Sequence, residues 1–137
     1  MFFITACVEN RERVLAHPSI ADIVVEAWQY AEALHGWLIG RYVIMPDHVH
    51  VFAGPARESA KDLSGFMQSW KRSTAIRIRK ALLGGFSWQR EFFDHLMRSD
   101  ESYAQKWEYV RLNPVRAGLV GDPAEWPYQG EISSLEV

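Results

Sequence analysis

Two histidines one residue apart, His48-Val49-His50, are the first place in this 137-residue chain where residue types and spacing could carry chemistry. On a β-strand alternate side chains share a face, so both imidazoles would project from one rigid surface and Val49 and Val51 from the other. Such a pair can reach one divalent ion, or it can be an ordinary structural pair. Phe52 in place of a third histidine argues against a histidine-triad nucleotide hydrolase. A second group lies downstream. At about 100° per residue, Tyr109 and Asn113 fall on one helix face, flanked by Gln105 and Lys106. A hydroxyl, an amide and an ammonium on one face suit phosphate handling; the alternative is a plain solvated face. Tyr103, Trp107 and Val110 form a separate stripe that fits the core, which ranks Tyr103 below Tyr109 as a nucleophile. His17, His35 and His95 are isolated and fit surface or structural roles.

The elements that must hold these groups follow from pattern. Phe2 to Val8 is apolar and β-prone, a first strand. Pro18-Ser19 opens a helix, with Asp22 placed to complete a capping box. Ile20, Ile23, Val24, Ala27, Trp28 and Ala31 follow at helical spacing until Gly36. Trp37 to Met45 and His48 to Ala53 are strands joined by the Pro46-Asp47 turn, hence an antiparallel hairpin. A second helix starts near Ser59, with Asp62 three positions on. It carries Leu63, Phe66, Met67, Trp70, Thr74 and Ile78 inward and ends at Gly84-Gly85. A fourth short strand falls within Trp88 to Met97, and Ser99, Asp100 and Glu101 start a third helix. Asn113-Pro114 should break or kink it, because the residue before proline is pushed out of the α region. The order βαββαβα predicts a ferredoxin-like α+β fold, an antiparallel sheet with helices packed on one face and a C-terminal helix bearing the tyrosine.

Composition narrows the partners. Hydrophobic residues make up 48% and charged residues 23%, which excludes disorder. No apolar run approaches the roughly 18 residues of a membrane helix. Glu9, Arg11, Glu12 and Arg13 interrupt the N-terminal apolar stretch, and no basic leader of a signal peptide precedes it. Cys7, the only cysteine, excludes an internal disulfide and fits a buried residue in a reducing cytoplasm. The net charge of −2 hides a pattern of −3 over residues 1–60, +5 over 61–98 and −4 over 99–137. The basic run Lys71, Arg72, Arg77, Arg79 and Lys80 is a candidate contact for a nucleic-acid backbone, with a solvated helix face as the alternative. Trp88 and Trp126 are candidates for stacking on unpaired bases.

The run Ile44-Met45-Pro46-Asp47-His48-Val49-His50, with Tyr109 to Val120 (YVRLNPVRAGLV) downstream, resembles the HUH single-tyrosine transposases, on the branch of the REP-associated tyrosine transposases. Ser69-Trp70-Lys71, Trp88 to His95 (WQREFFDH) and Trp126-Pro127-Tyr128 extend the similarity over nearly the whole chain, whereas Gln129-Gly130 stand where the family often has a serine pair. The resemblance implies a transposase domain over residues 1–120 and a tail, 121–137, packed on it or extending from it. It implies that His48 and His50 hold a metal ion, that Asn113 is its third polar ligand, and that Tyr109 is the nucleophile. Lys106 joins the basic run as a DNA contact.

Chemistry is consistent with that assignment. Free tyrosine has a pKa of about 10 and attacks poorly until its phenolate or the charge developing on phosphate is stabilised. Mg2+ or Mn2+ on two imidazoles and an amide, all uncharged, keeps its full electrophilic strength. The implied function is cleavage and rejoining of single-stranded or hairpin (REP-like) DNA through a 5′-phosphotyrosine, in a bacterial cytoplasm, by a monomer or a homodimer. The alternatives are a non-cleaving nucleic-acid-binding module and a metal-dependent phosphodiesterase using water.

Overall fold

Alternation of apolar side chains along Phe2–Cys7 makes the first strand, β1, in a computed structural model that describes residues 1–137. Helix α1 (Pro18–Gln29) follows, then the short α2 (Ala31–His35), β2 (Trp37–Ile44) and β3 (His48–Pro55). Helix α3 (Leu63–Leu82) leads to β4 (Phe93–Leu96), α4 (Asp100–Arg111), α5 (Asn113–Arg116) and β5 (Gln129–Glu131). The sheet is antiparallel with strand order β4-β1-β3-β2-β5. No helix is long and apolar enough to cross a membrane.

Several boundaries differ from expectation, each for a local reason. Helix α1 is capped by His17, whose Nδ1 accepts from the Ser19 amide at 3.4 Å, so the Ser19–Asp22 box is not what starts it. The expected single helix kinks at Tyr30 (φ −93°, ψ 0°), which leaves Tyr30 exposed and turns Ala31 fully inward. Gly36 then ends α2 in the left-handed conformation glycine tolerates, φ 76°. Helix α3 begins at Leu63 rather than near Ser59, because Asp62 is itself the cap and accepts from the Gly65 amide at 2.7 Å. The tail contributes β5, which pairs with β2, an edge the sequence pattern did not reveal.

The sheet has two different faces. Ile4, Ala6, Val49, Val51 and Ala53 point to one side and form the main core with α1 and α3 through Val24, Trp28, Phe66, Trp70 and Ile78. Phe3, Thr5, His48, His50 and Phe52 point to the other, where α4 packs: the Phe52 ring lies 4.7 Å from Tyr103 and 6.4 Å from Trp107. A bulge in β2 between Ile39 and Tyr42 resets the alternation. Tyr42 and Ile44 therefore stay with the main core, while Val43 joins Met45, Val110 and Trp126 in a second, small core. At the bulge Gly40 meets Leu135, where any Cβ would come within 2.8 Å, so the absent side chain admits the tail.

Candidate functional site

Register places His50 opposite Thr5 of β1 and Val43 of β2, and His48 opposite Cys7. Both imidazoles thus emerge on the α4 side, with ring centroids 4.7 Å apart. Asn113 meets them from above. Helix α4 stops at Arg111, Leu112 stays near-helical, and α5 resumes at Asn113 with Pro114 in its first turn, where a missing amide hydrogen costs nothing. The expected break is therefore an interruption, and it lowers Asn113 onto the histidine pair. Its Nδ2 lies 3.4 Å from His48 Nε2 and 3.1 Å from His50 Nε2.

The other nitrogen of each ring is occupied. Asp47 Oδ1 lies 2.7 Å from His48 Nδ1, and Thr5 Oγ1 lies 2.8 Å from His50 Nδ1. With the ring proton on Nδ1, each Nε2 keeps a lone pair facing Asn113, an orientation of the kind outer partners impose on metal-binding histidines. Arg11 donates to Asp47 Oδ2 at 2.9 Å and fixes the carboxylate in turn. Asn10 and Arg11, both at positive φ (58° and 53°), form the turn that delivers that guanidinium.

Electrostatics keep both rings neutral. Burial lowers the His48 pKa below the ordinary value, more than Asp47 raises it. Burial pulls His50 down to about 3, helped by His48, Lys106 and Arg116. Burial pushes the Asp47 carboxyl up, but its hydrogen bonds from Arg11 and His48 prevail and hold it below the usual value. The pair can therefore offer lone pairs near neutrality. No three His, Cys, Asp or Glu side chains lie together as a metal-holding group. The third group at the two Nε2 atoms is the Asn113 amide.

Tyr109 stands one turn before Asn113, 64% exposed, with the Arg116 guanidinium 3.9 Å from its ring centroid and bonded at 2.6 Å to its carbonyl. Lys106 sits over the Phe3 ring at 5.2 Å, and Phe3 stacks on His50 at 5.3 Å. Tyr103 is a different kind of residue. Its hydroxyl is buried without a partner, Arg41 lies 5.7 Å over its ring, and burial raises its pKa. That environment disfavours a nucleophile.

The basic run on α3 lies elsewhere, because α3 packs on the opposite face of the sheet from His48 and His50. Lys71 donates to the carbonyls of Gln89, Arg90 and Glu91 at 2.8, 2.9 and 3.3 Å. Arg77 pairs with Glu26 at 3.2 Å, and Arg79 donates to the Phe86 carbonyl at 2.9 Å. Arg72 and Lys80 are exposed. Of the basic residues singled out, the structure brings only Lys106 to the histidine face. Trp88 and Trp126 are also not free to stack: both are buried, with Nε1 bonded to Thr74 Oγ1 and the Ile44 carbonyl.

Thr5, Arg11 and Asp47 were not singled out by sequence reasoning, and Arg116 only as a second-choice DNA contact, with Lys106 and Arg111, should the basic run on α3 not hold the strand. Asp47 could have been, since it precedes His48 in a two-residue turn. Arg11 could not, because nothing local ties residue 11 to residue 47.

The family model described as "Transposase IS200 like" matches residues 1–112. An uncharacterized protein of Haemophilus influenzae is 22% identical over 83% of this chain and 79% of its own length. The REP-associated tyrosine transposase of Escherichia coli K12 is 25% identical over 66% of this chain, a stretch that is 52% of that protein. The fold matches the structure of a REP-associated tyrosine transposase bound to a REP hairpin with a TM-score of 0.76, at 20% identity, covering 98% of this chain and 87% of that one. Since the family model matches most of its length, the chain belongs to the IS200-like transposase family, and it is similar to that family's REP-associated tyrosine members.

Proposed function

We propose that the protein cleaves and rejoins single-stranded DNA at hairpin-forming sequences through a covalent bond to Tyr109, with Mg2+ or Mn2+ held by His48, His50 and Asn113. The observation that carries this reading is the convergence of two neutral Nε2 atoms on one amide, within 3.4 Å, one turn after an exposed tyrosine. The donor set fits a divalent cation. Both histidines have Nδ1 tied to Thr5 or Asp47, and a half-turn of the Asn113 amide exchanges Nδ2 for Oδ1 toward the two Nε2 atoms. When bound, the cation supplies Lewis-acid polarisation of the scissile phosphate.

The chain's own residues do the rest. The Tyr109 oxygen forms a bond to phosphorus while the bond from phosphorus to the 3′-oxygen breaks. The phenolic proton passes to solvent and the departing 3′-oxygen is protonated. One strand end is then joined to the enzyme by its 5′-phosphate and the other carries a free 3′-hydroxyl. Because the number of phosphoesters is unchanged, attack by another 3′-hydroxyl reverses the step without ATP. Arg116, stacked on the Tyr109 ring and bonded to its carbonyl, holds the ring and places positive charge beside the developing phenolate and phosphate. Support for a hairpin substrate comes from the related transposase whose structure holds a REP hairpin.

Covalent capture tests the reading. Wild-type protein with Mn2+ and an end-labelled strand containing the hairpin should form an adduct stable in denaturing gels. Tyr109→Phe should form none while keeping its fold, since it loses one hydroxyl. EDTA, His48→Ala and His50→Ala should each reduce adduct formation by on the order of 10³-fold, the several kcal/mol a Lewis acid contributes. An adduct undiminished in Tyr109→Phe overturns the nucleophile, and full activity in EDTA overturns the metal.

A further inference from the structure

One part of the histidine face has no role in the mechanism above. Strand β4 is the sheet edge next to β1, and register sets Phe93 opposite Thr5 and His95 opposite Phe3. Paired residues share a face, so Phe93 and His95 stand on the same side as His48 and His50. Every residue of β4 is exposed, and Phe93 is 66% so, unusual for a phenylalanine in a sheet. Beside the strand a cleft of about 360 Å³ is lined by His95, Met97, Ser102, Gln105, Lys106 and Tyr109. That is near the lower end of small-ligand sites, roughly 300 Å³ and up, and suits one nucleotide rather than a duplex. Tyr109 forms one wall, so whatever occupies the cleft adjoins the phosphate that Tyr109 would attack.

Its chemistry is also that of a nucleotide. Lys106 is a cation for phosphate, and its positive charge extends toward His50. Gln105 offers an amide to a base edge. His95 on the cleft wall and exposed Phe93, two residues before it on the same strand and outside the cleft lining, offer two flat rings on a rigid support, and unpaired bases stack on such rings regardless of sequence.

We propose that the cleft between β4 and α4 binds the nucleotide adjoining the scissile phosphate, with Phe93 and His95 as base-stacking platforms and Lys106 as the phosphate contact. The proposal rests on the DNA reading above and deepens it. The test compares two single-stranded probes of equal charge: an octamer of thymidylate, and an octamer of abasic tetrahydrofuran residues. Wild-type protein should bind the thymidylate octamer more tightly, by fluorescence anisotropy. Phe93→Ala and His95→Ala should each weaken it by at least about fivefold, with less than about a twofold change for the abasic octamer, because stacking is worth roughly 1 kcal/mol or more per base. Phe93→Trp should restore the affinity. Equal binding of both probes by wild type, equal losses on both probes in the variants, or no loss on either, overturns the base platform. If wild type still forms the Tyr109 adduct in those cases, the transposase reading stands alone. If it binds neither octamer and forms no adduct, both fall.

Discussion

The two faces of the sheet use their cations differently. On the α1/α3 side the chain carries its densest positive run, yet Lys71, Arg77 and Arg79 are turned back onto carbonyls and Glu26. On the α4 side three basic residues, Arg11, Lys106 and Arg116, surround the histidines and Tyr109, and each acts on a group of the site. Density along the sequence therefore measures little about a binding field. What matters is which side of a strand or helix a charge leaves from, and whether its hydrogen-bond donors already have acceptors. The run on α3 braces α1 and the loop after α3, whereas the sparse cations opposite border the histidines and Tyr109.

The sharpest way to break that comparison is to cut the supports of the histidines and leave both faces otherwise intact. Thr5→Val keeps the shape and removes the partner of His50 Nδ1. Asp47→Asn keeps the size and removes the charge that Arg11 and His48 share. Each should lower Mn2+ affinity by about 10–100-fold, the usual cost of losing an outer partner of a metal-binding histidine. Isothermal titration with Mn2+ measures this without any turnover. Arg77→Ala, on the other face, should leave the affinity unchanged. Should Thr5→Val and Asp47→Asn match wild type, the histidines do not depend on those bonds for their orientation.

Much of this arrangement is legible in the sequence. The strand period put His48 and His50 on one face, and the helix period put Tyr109 near Asn113. The two helices over the main core, the hairpin and β4 also followed from hydrophobic spacing. What was hidden is long-range. Thr5 pairs with His50 across 45 residues and Arg11 reaches Asp47 across 36, and neither has a local pattern. Strand β5 was hidden because three residues, Gln129-Gly130-Glu131, carry no alternation, and only the free edge of β2 makes them a strand. The partners of the basic run were hidden as well, because side-chain direction on α3 distinguishes solvent from neighbouring carbonyls only once the loop at 86–91 is in place.

Acid should also separate the faces. The His50 pKa is held near 3, against an ordinary value of 6.5, chiefly by burial. Above pH 6.5 the ring is neutral whether folded or unfolded, and pH has no leverage through it. Below that, the unfolded chain takes up a proton that the native site refuses, so stability falls as pH falls, down to about pH 3. The slope from one such group is about 1.4 kcal/mol per pH unit. His48 is lowered in the same direction, and so is His35 on the other side of the molecule. Urea unfolding in EDTA between pH 6 and 4 should thus show a steep loss in wild type. His50→Gln should flatten it by up to about 1.4 kcal/mol per pH unit. If the His50→Gln slope equals that of wild type, His50 is not kept neutral by its site.

The smallest expected effect bears most directly on the comparison of faces. Each phosphate neutralised on a single strand adds roughly −0.7 to the slope of log affinity against log salt. Lys106 and Arg116 flank the tyrosine, and replacing both with alanine should flatten the slope for a thymidylate octamer by about 1.4 units. The matching pair on α3 is Arg72 and Lys80, both exposed, since removing Arg79 would also unpair the Phe86 carbonyl. If the strand runs only along the histidine face, Arg72→Ala with Lys80→Ala should change the slope by less than about half a unit. Phosphate contacts position without reading bases, so either loss should be similar across sequences. Equal flattening by the two pairs would mean that the strand, after leaving Tyr109, wraps the sheet edge onto α3. The basic run would then be a second DNA contact rather than a scaffold with two spare charges.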